Sequence, residues 1–95
     1  MNKRYEVRLS KKACKSLGRL PEMEKYRFAL LLDDIRANGP IRKNWKNFSE
    51  LESGRGWAKY HCHLSYHWVA CWIWEKDSII VEVYYAGSRE AAPYK

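Results

Sequence analysis

Cysteine is scarce in this chain: three among 95 residues, an odd number with no Cys-x-x-Cys pair. That argues against a disulfide framework and a zinc ribbon, and leaves Cys14, Cys62 and Cys71 reading as small buried hydrophobes. Cys62 and Cys71 are spaced to face each other across a hairpin, as thiols in a reducing compartment. No run approaches the roughly 18 uninterrupted apolar residues of a membrane span. The opening Met-Asn-Lys-Arg lacks the apolar stretch of a signal peptide, so a cytoplasmic protein with no membrane partner is expected. Internal repeats and low-complexity segments are missing too. The length leaves no room for two cores, and a single domain over residues 1–95 is expected.

Acidic residues are also short in supply, 11 against 18 Lys plus Arg, giving a net charge of +7. Such an excess favours a polyanionic partner. Residues 1–46 hold 13 of the cations and 5 of the acids, so the basic surface belongs to the first half of the chain. The plainer reading is that these cations simply solvate helices, which leaves the excess over acids unexplained. With 46% hydrophobic and 15% aromatic residues, the chain can fill a small core and is not a disordered tail.

Tyr5, Val7 and Leu9 alternate with Arg4, Glu6 and Arg8, the period of a half-buried strand. Ser10 stands at an N-cap position, and Ala13, Cys14, Leu17 and Leu20 recur at helical spacing up to Gly18 and Pro21. Pro21 at a first helical position, Glu22 and Glu24 in the first turn, and Asn38-Gly39-Pro40 at the end bracket a second, longer helix. Its apolar residues Met23, Tyr26, Phe28, Leu30, Leu31, Leu32 and Ile35 cover more than one stripe, so it should touch both a sheet and the first helix. Residues 40–56 lack periodicity, place Arg42, Lys43 and Lys46 around Trp45, and end in Ser53-Gly54-Arg55-Gly56. They read as a mobile connection able to hold a ligand. Three strand-like runs follow, at 57–64, 66–74 and 79–86, with short links that make an antiparallel meander. The order β-α-α-β-β-β implies an α+β class, a two-layer fold with a helical hairpin on a mainly antiparallel sheet.

All three histidines fall within seven residues. Alternation sends Trp57, Lys59, His61 and His63 to one strand face and Ala58, Tyr60, Cys62 and Leu64 to the other. A metal site on His61-x-His63 with His67 is one reading, but no fourth ligand sits at a suitable spacing. Ordinary sheet histidines beside aromatics are a second. Acid–base cleavage of RNA is the third: an imidazole serves as base or acid near neutrality, and a guanidinium forks onto phosphate oxygens. Arg89 in Gly87-Ser88-Arg89 and Tyr94 near the terminus supply further groups, unless they belong to a solvated tail. Alternation groups Tyr66, Trp68, Trp72 and Trp74 on one face; most should be core, with one or two near the histidines stacking a base.

These residues together resemble the RelE superfamily of bacterial toxins from toxin–antitoxin modules, across nearly the whole chain. The YafQ branch carries a Cys-His-hydrophobic-x-x-Asp-Trp stretch, here Cys62-His63-Leu64-Ser65-Tyr66-His67-Trp68. It closes on Gly-Thr-His and a terminal aromatic, here Gly87-Ser88-Arg89 and Tyr94, where RelE itself has an arginine and a tyrosine. The resemblance implies a RelE-like fold and a ribosome-dependent endoribonuclease, or mRNA interferase, that cuts mRNA in the A site and is restrained by a cognate antitoxin. It implies no cofactor and no metal. On this basis the catalytic set is His63, His67 in place of the branch's aspartate, Arg89 in place of its last histidine, and Tyr94. Lys46, Lys59, Trp68, His61, Arg42 and Lys43 are expected to hold RNA, with Lys46 standing in for a catalytic histidine that the branch has before the hairpin. The alternative is a ParE-like module of the same fold that binds DNA gyrase without cleaving RNA.

Overall fold

In the computed structural model, which describes residues 4–94, the chain builds one five-stranded sheet with two helices. Strand β1 (Glu6–Leu9) is followed by α1 (Lys11–Leu17), α2 (Glu22–Asn38), β2 (Ser49–Gly54), β3 (Trp57–His63), β4 (Trp68–Glu75) and β5 (Ile80–Ser88). Across the sheet the order is β1-β5-β4-β3-β2, with β1 parallel to β5 and every other pair antiparallel. The α+β, mainly antiparallel arrangement expected from the sequence is present.

Local chemistry sets the helix ends. Ser10 Oγ accepts from the Ala13 backbone N–H at 3.1 Å and opens α1. Pro21 occupies the N-cap of α2 rather than its first turn, with Glu22 and Glu24 just inside, where they favour the helix dipole. Gly39 ends α2 at φ 96, a conformation that only glycine adopts cheaply, and its N–H reaches the Ile35 carbonyl at 2.8 Å. Only one stripe of α2 reaches the core, through Phe28, Leu31 and Ile35. Met23, Tyr26 and Leu30, expected to pack as well, are exposed.

The second departure is β2. Residues 49–54, read as part of an irregular connection, form an edge strand paired with β3, bulged between Glu50 and Glu52. Ser-Glu-Leu-Glu-Ser-Gly shows no apolar alternation because the strand is almost wholly exposed; backbone pairing to β3, with polar side-chain contacts from Ser49 and Glu52, fixes it. The Gly-Arg-Gly signal is the hairpin turn between β2 and β3, with Gly56 at φ 79. Nor is the segment before it loose. Trp45 Nε1 donates to Asp34 at 2.8 Å, and Phe48 stacks on Tyr60 at a centroid distance of 5.5 Å.

The core lies between the helices and the sheet face carrying Ala58, Tyr60, Cys62, Ala70, Trp72, Val81 and Val83. Trp72 is fully buried and its indole N–H donates to the Pro40 carbonyl at 3.0 Å. Replacing it with alanine would cost about 3–5 kcal/mol. Cys62 pairs with Ala70, and Cys71 with His61, so the two cysteines stand on opposite faces instead of facing each other. All three cysteines are free.

Candidate active site

The face of β3 turned away from the core presents His61 and His63, as alternation requires. Both are only 8% exposed. Their rings lie 5.5 Å apart in an edge-on arrangement, and His61 Nδ1 shares a 3.0 Å hydrogen bond with Ser49 Oγ on the edge strand. The Tyr94 ring sits 4.7 Å from His61, so the carboxyl-terminal segment folds back over this face. The His63 backbone N–H donates to the Lys46 carbonyl at 2.8 Å, which ties the connection to the end of β3. His63 Nδ1 is buried without a hydrogen-bond partner among the described residues.

Burial lowers the pKa of His63, and the positive charges of Arg89 and Lys46 lower it further. Burial also lowers His61, with the neighbouring His63 acting in the same sense. Both shifts favour the neutral imidazole, with the Ser49 hydrogen bond opposing at His61. Tyr94 is pushed up, chiefly by burial and then by Cys71, with Arg89 opposing. Burial lifts the Cys71 thiol to about 12 and Cys62 upward as well, so neither is a thiolate nucleophile at neutral pH.

Arg89 is the hub. Its charge is felt by His63 and Tyr94, its guanidinium lies 5.1 Å from the centre of the Tyr66 ring, and its backbone N–H donates to the His67 carbonyl at 2.7 Å. His67 is exposed on the turn between β3 and β4, edge-on to Tyr66 at 4.6 Å. It shares with Tyr66, Arg89 and Glu90 a shallow cavity of about 200 Å³. Arg27 Nη1 steadies that turn by donating to the Leu64 carbonyl and to the buried Glu24, each at 3.4 Å. The histidine that packs against His63 is thus His61, while His67 packs on Tyr66 in the cavity it shares with Arg89. Among the described residues, no three His, Cys, Asp or Glu side chains are placed to hold a metal ion.

The residues expected to hold RNA divide. Lys46 is exposed beside His63, and Lys43 is exposed on the same connection. Lys59 lies 5.8 Å from the Trp57 ring centre and 5.5 Å from that of Tyr84, and pairs with Glu52 at 3.7 Å. Arg42 is committed elsewhere: its side chain, 15% exposed, pairs with Asp34 at 2.9 Å and reaches the Asn38 carbonyl. Trp68 packs against the core and lines a groove beside α1, apart from the imidazoles. Ser49 and Tyr66 are partners that the sequence reading missed. Ser49 opens a polar edge strand with no pattern to read, and Tyr66 falls in the turn before β4, outside the strand alternation that grouped it with the core tryptophans.

No protein-family model matches the sequence, and no curated protein matches it significantly. Solved structures do match in fold. A chain of the archaeal RelE-RelB complex from Pyrococcus horikoshii OT3 superposes with a TM-score of 0.79 at 19% identity, covering 95% of this chain and 100% of that one. The YoeB dimer from Staphylococcus aureus gives a TM-score of 0.67 at 13% identity, covering 90% of this chain and 97% of its own. The fold is therefore RelE-like.

Proposed function

We propose that this protein is an mRNA endoribonuclease toxin of a toxin–antitoxin module, cleaving mRNA in the ribosomal A site by acid–base chemistry. The observation that carries the reading is His63 on the sheet face away from the core, its backbone N–H donating to the Lys46 carbonyl at 2.8 Å and the charges of Arg89 and Lys46 within electrostatic range. RNA cleavage needs a base for the 2′-hydroxyl, positive charge for the phosphorane oxygens, and an acid for the departing 5′-oxygen. His63 takes the first role, and Arg89 with Lys46 the second. His67, in the cavity it shares with Arg89, protonates the leaving oxygen, while Tyr94 and His61 shape the wall of the site. The YafQ-like hairpin sequence Cys62-His63-Leu64-Ser65-Tyr66-His67-Trp68 supports the assignment to that branch.

The complex of a RelE-fold chain with RelB supports a partner antitoxin for this chain too. Ribosome dependence follows if the site orders mRNA only when the ribosome presents it. The test is to add the purified protein to a translating extract and map mRNA ends, with a gyrase supercoiling assay alongside. New 5′ ends within codons at the A site are expected. His63→Ala and Arg89→Ala should each lower cleavage by about 10²-fold or more while leaving the fold intact. Inhibition of supercoiling with intact mRNA would replace this reading with that of a gyrase-binding module.

A further inference from the structure

Where β5 runs on past the end of β1, a groove of about 320 Å³ wraps the strand end beside α1, with Tyr85 reaching it from the imidazole face and Trp68 from the core face. Lys12, Lys15 and Arg19 form its rim, and Trp68 and Tyr85 line it. Residues 10–20 contain no acid, and none of the three cations makes an ion pair among the described residues. On α2, by contrast, Lys25, Arg27 and Arg36 are each paired one turn away, with Glu22, Glu24 and Asp33. Cations that merely solvate a helix are interleaved with acids, as on α2; three unpaired ones around one groove repel each other until an anion arrives.

The floor is built. Tyr85 donates its hydroxyl to the Ser88 carbonyl at 2.7 Å, and its ring crosses Gly87 so closely that a Cβ there would stand 2.8 Å from the hydroxyl oxygen. Only glycine admits the ring in that position. Trp68, opposite Ser88 in the β4–β5 register, is held by the core. Two fixed aromatics beneath a rim of free cations are what a single-stranded polynucleotide requires: π surfaces for bases and charge for phosphates. β5 pairs with β1 only over residues 80–83, so its groove-lining end keeps an edge open to a strand, but clustered cations beside two aromatic rings match phosphates and bases more closely than they match a peptide backbone.

We propose that this groove is a second RNA site, holding an unstacked nucleotide of a single-stranded segment against Tyr85 and Trp68, with adjacent phosphates on Lys12, Lys15 and Arg19. It rests on the RNA reading above but not on cleavage. The tripeptide Gly87-Ser88-Arg89 joins the two places, since Gly87 and Ser88 line the groove and Arg89 reaches the imidazole face.

The test uses a fluorescent 2′-O-methyl RNA oligonucleotide, which lacks the hydroxyl that cleavage needs, so binding is read alone. The triple variant Lys12→Ala/Lys15→Ala/Arg19→Ala should weaken binding by about tenfold or more and reduce the log–log salt slope by about 2, at roughly 0.7 per lost contact to a single strand. Photocrosslinking of the same oligonucleotide carrying 5-iodouridine should map to Trp68 or Tyr85. Unchanged affinity and slope in the triple variant, or crosslinks confined to the His61–His63 face, would overturn the second site. Equal affinity for an acidic peptide of the same charge would make the groove a protein-docking surface instead. If wild-type protein binds at the groove yet cuts no mRNA, the second site stands and the nuclease reading fails.

Discussion

His63 combines two features that ordinary sheet histidines lack together: near-complete burial and two cations within electrostatic range. An imidazole so placed resists protonation, so the folded chain binds fewer protons than the unfolded chain once the pH drops below the ordinary value of 6.5. The sign follows: the full stability is present above pH 6.5 and declines as the pH falls towards the lowered folded values. Thermal unfolding at pH 7.5 and pH 5 should show this decline, and His61→Gln/His63→Gln should flatten it. An equal decline in the double variant would assign the acid sensitivity to other groups. Catalysis should follow the same titration, with the limb that reports the base lying below pH 6.5 and absent from any residual activity of His63→Ala.

The connection between α2 and β2 behaves as an element although it contains neither helix nor strand, and Asp34 makes it so. Its carboxylate accepts from Asn38 at 2.7 Å, Arg42 at 2.9 Å, Asn44 at 3.1 Å and Trp45 at 2.8 Å. Burial works to raise its pKa, but the hydrogen bonds from Asn38, Asn44 and Trp45 and the charge of Arg42 together hold it below the ordinary 3.8. Because Lys46 follows Trp45 directly and its carbonyl takes the His63 N–H, Asp34 positions one flank of the site from a distance. Asp34→Ala should cost about 2–3 kcal/mol, roughly 10–20 °C in melting temperature, and Asp34→Asn less, as differential scanning calorimetry would measure. Loss of cleavage in Asp34→Asn at a temperature where the variant is fully folded would mark the positioning role.

This anchoring also explains what the sequence did and did not disclose. β1, both helices and β3 to β5 are legible because each buries one face, which prints a period of 2 or 3.6 on the residues. β2 and the Asp34 network leave no such print, since one is an exposed edge and the other joins residues up to 11 apart through side-chain geometry alone. In the same way His61 and His63 are legible as neighbours by alternation, whereas His67 and Trp68 part company at the turn: one side chain stays with Tyr66 and Arg89 and the other goes to the groove beside α1. Charge misled at Arg42, where an expected RNA contact is the internal partner of a carboxylate.

Taken as a whole molecule, the protein separates its chemistry from its charge. Imidazoles stand on the sheet face away from the helices, the core fills the other face, and the unpaired cations Lys12, Lys15 and Arg19 line the groove at the end of β5. Docking to a ribosome through phosphates should therefore be removable without touching catalysis, and the reverse. Between 50 and 200 mM salt, affinity measured by co-sedimentation with ribosomes should fall by at least about tenfold, because each phosphate contact releases counterions. His63→Ala should leave that salt slope unchanged while lowering cleavage by about 10²-fold or more. Lys25→Ala/Arg36→Ala should also leave it unchanged, since each cation removed is already balanced by an acid on its own helix, at 3.9 and 3.0 Å. A slope that falls as steeply for the α2 variant as for cations lost from α1 would mean that total charge governs docking, and the contrast between paired and unpaired helices would lose its functional meaning.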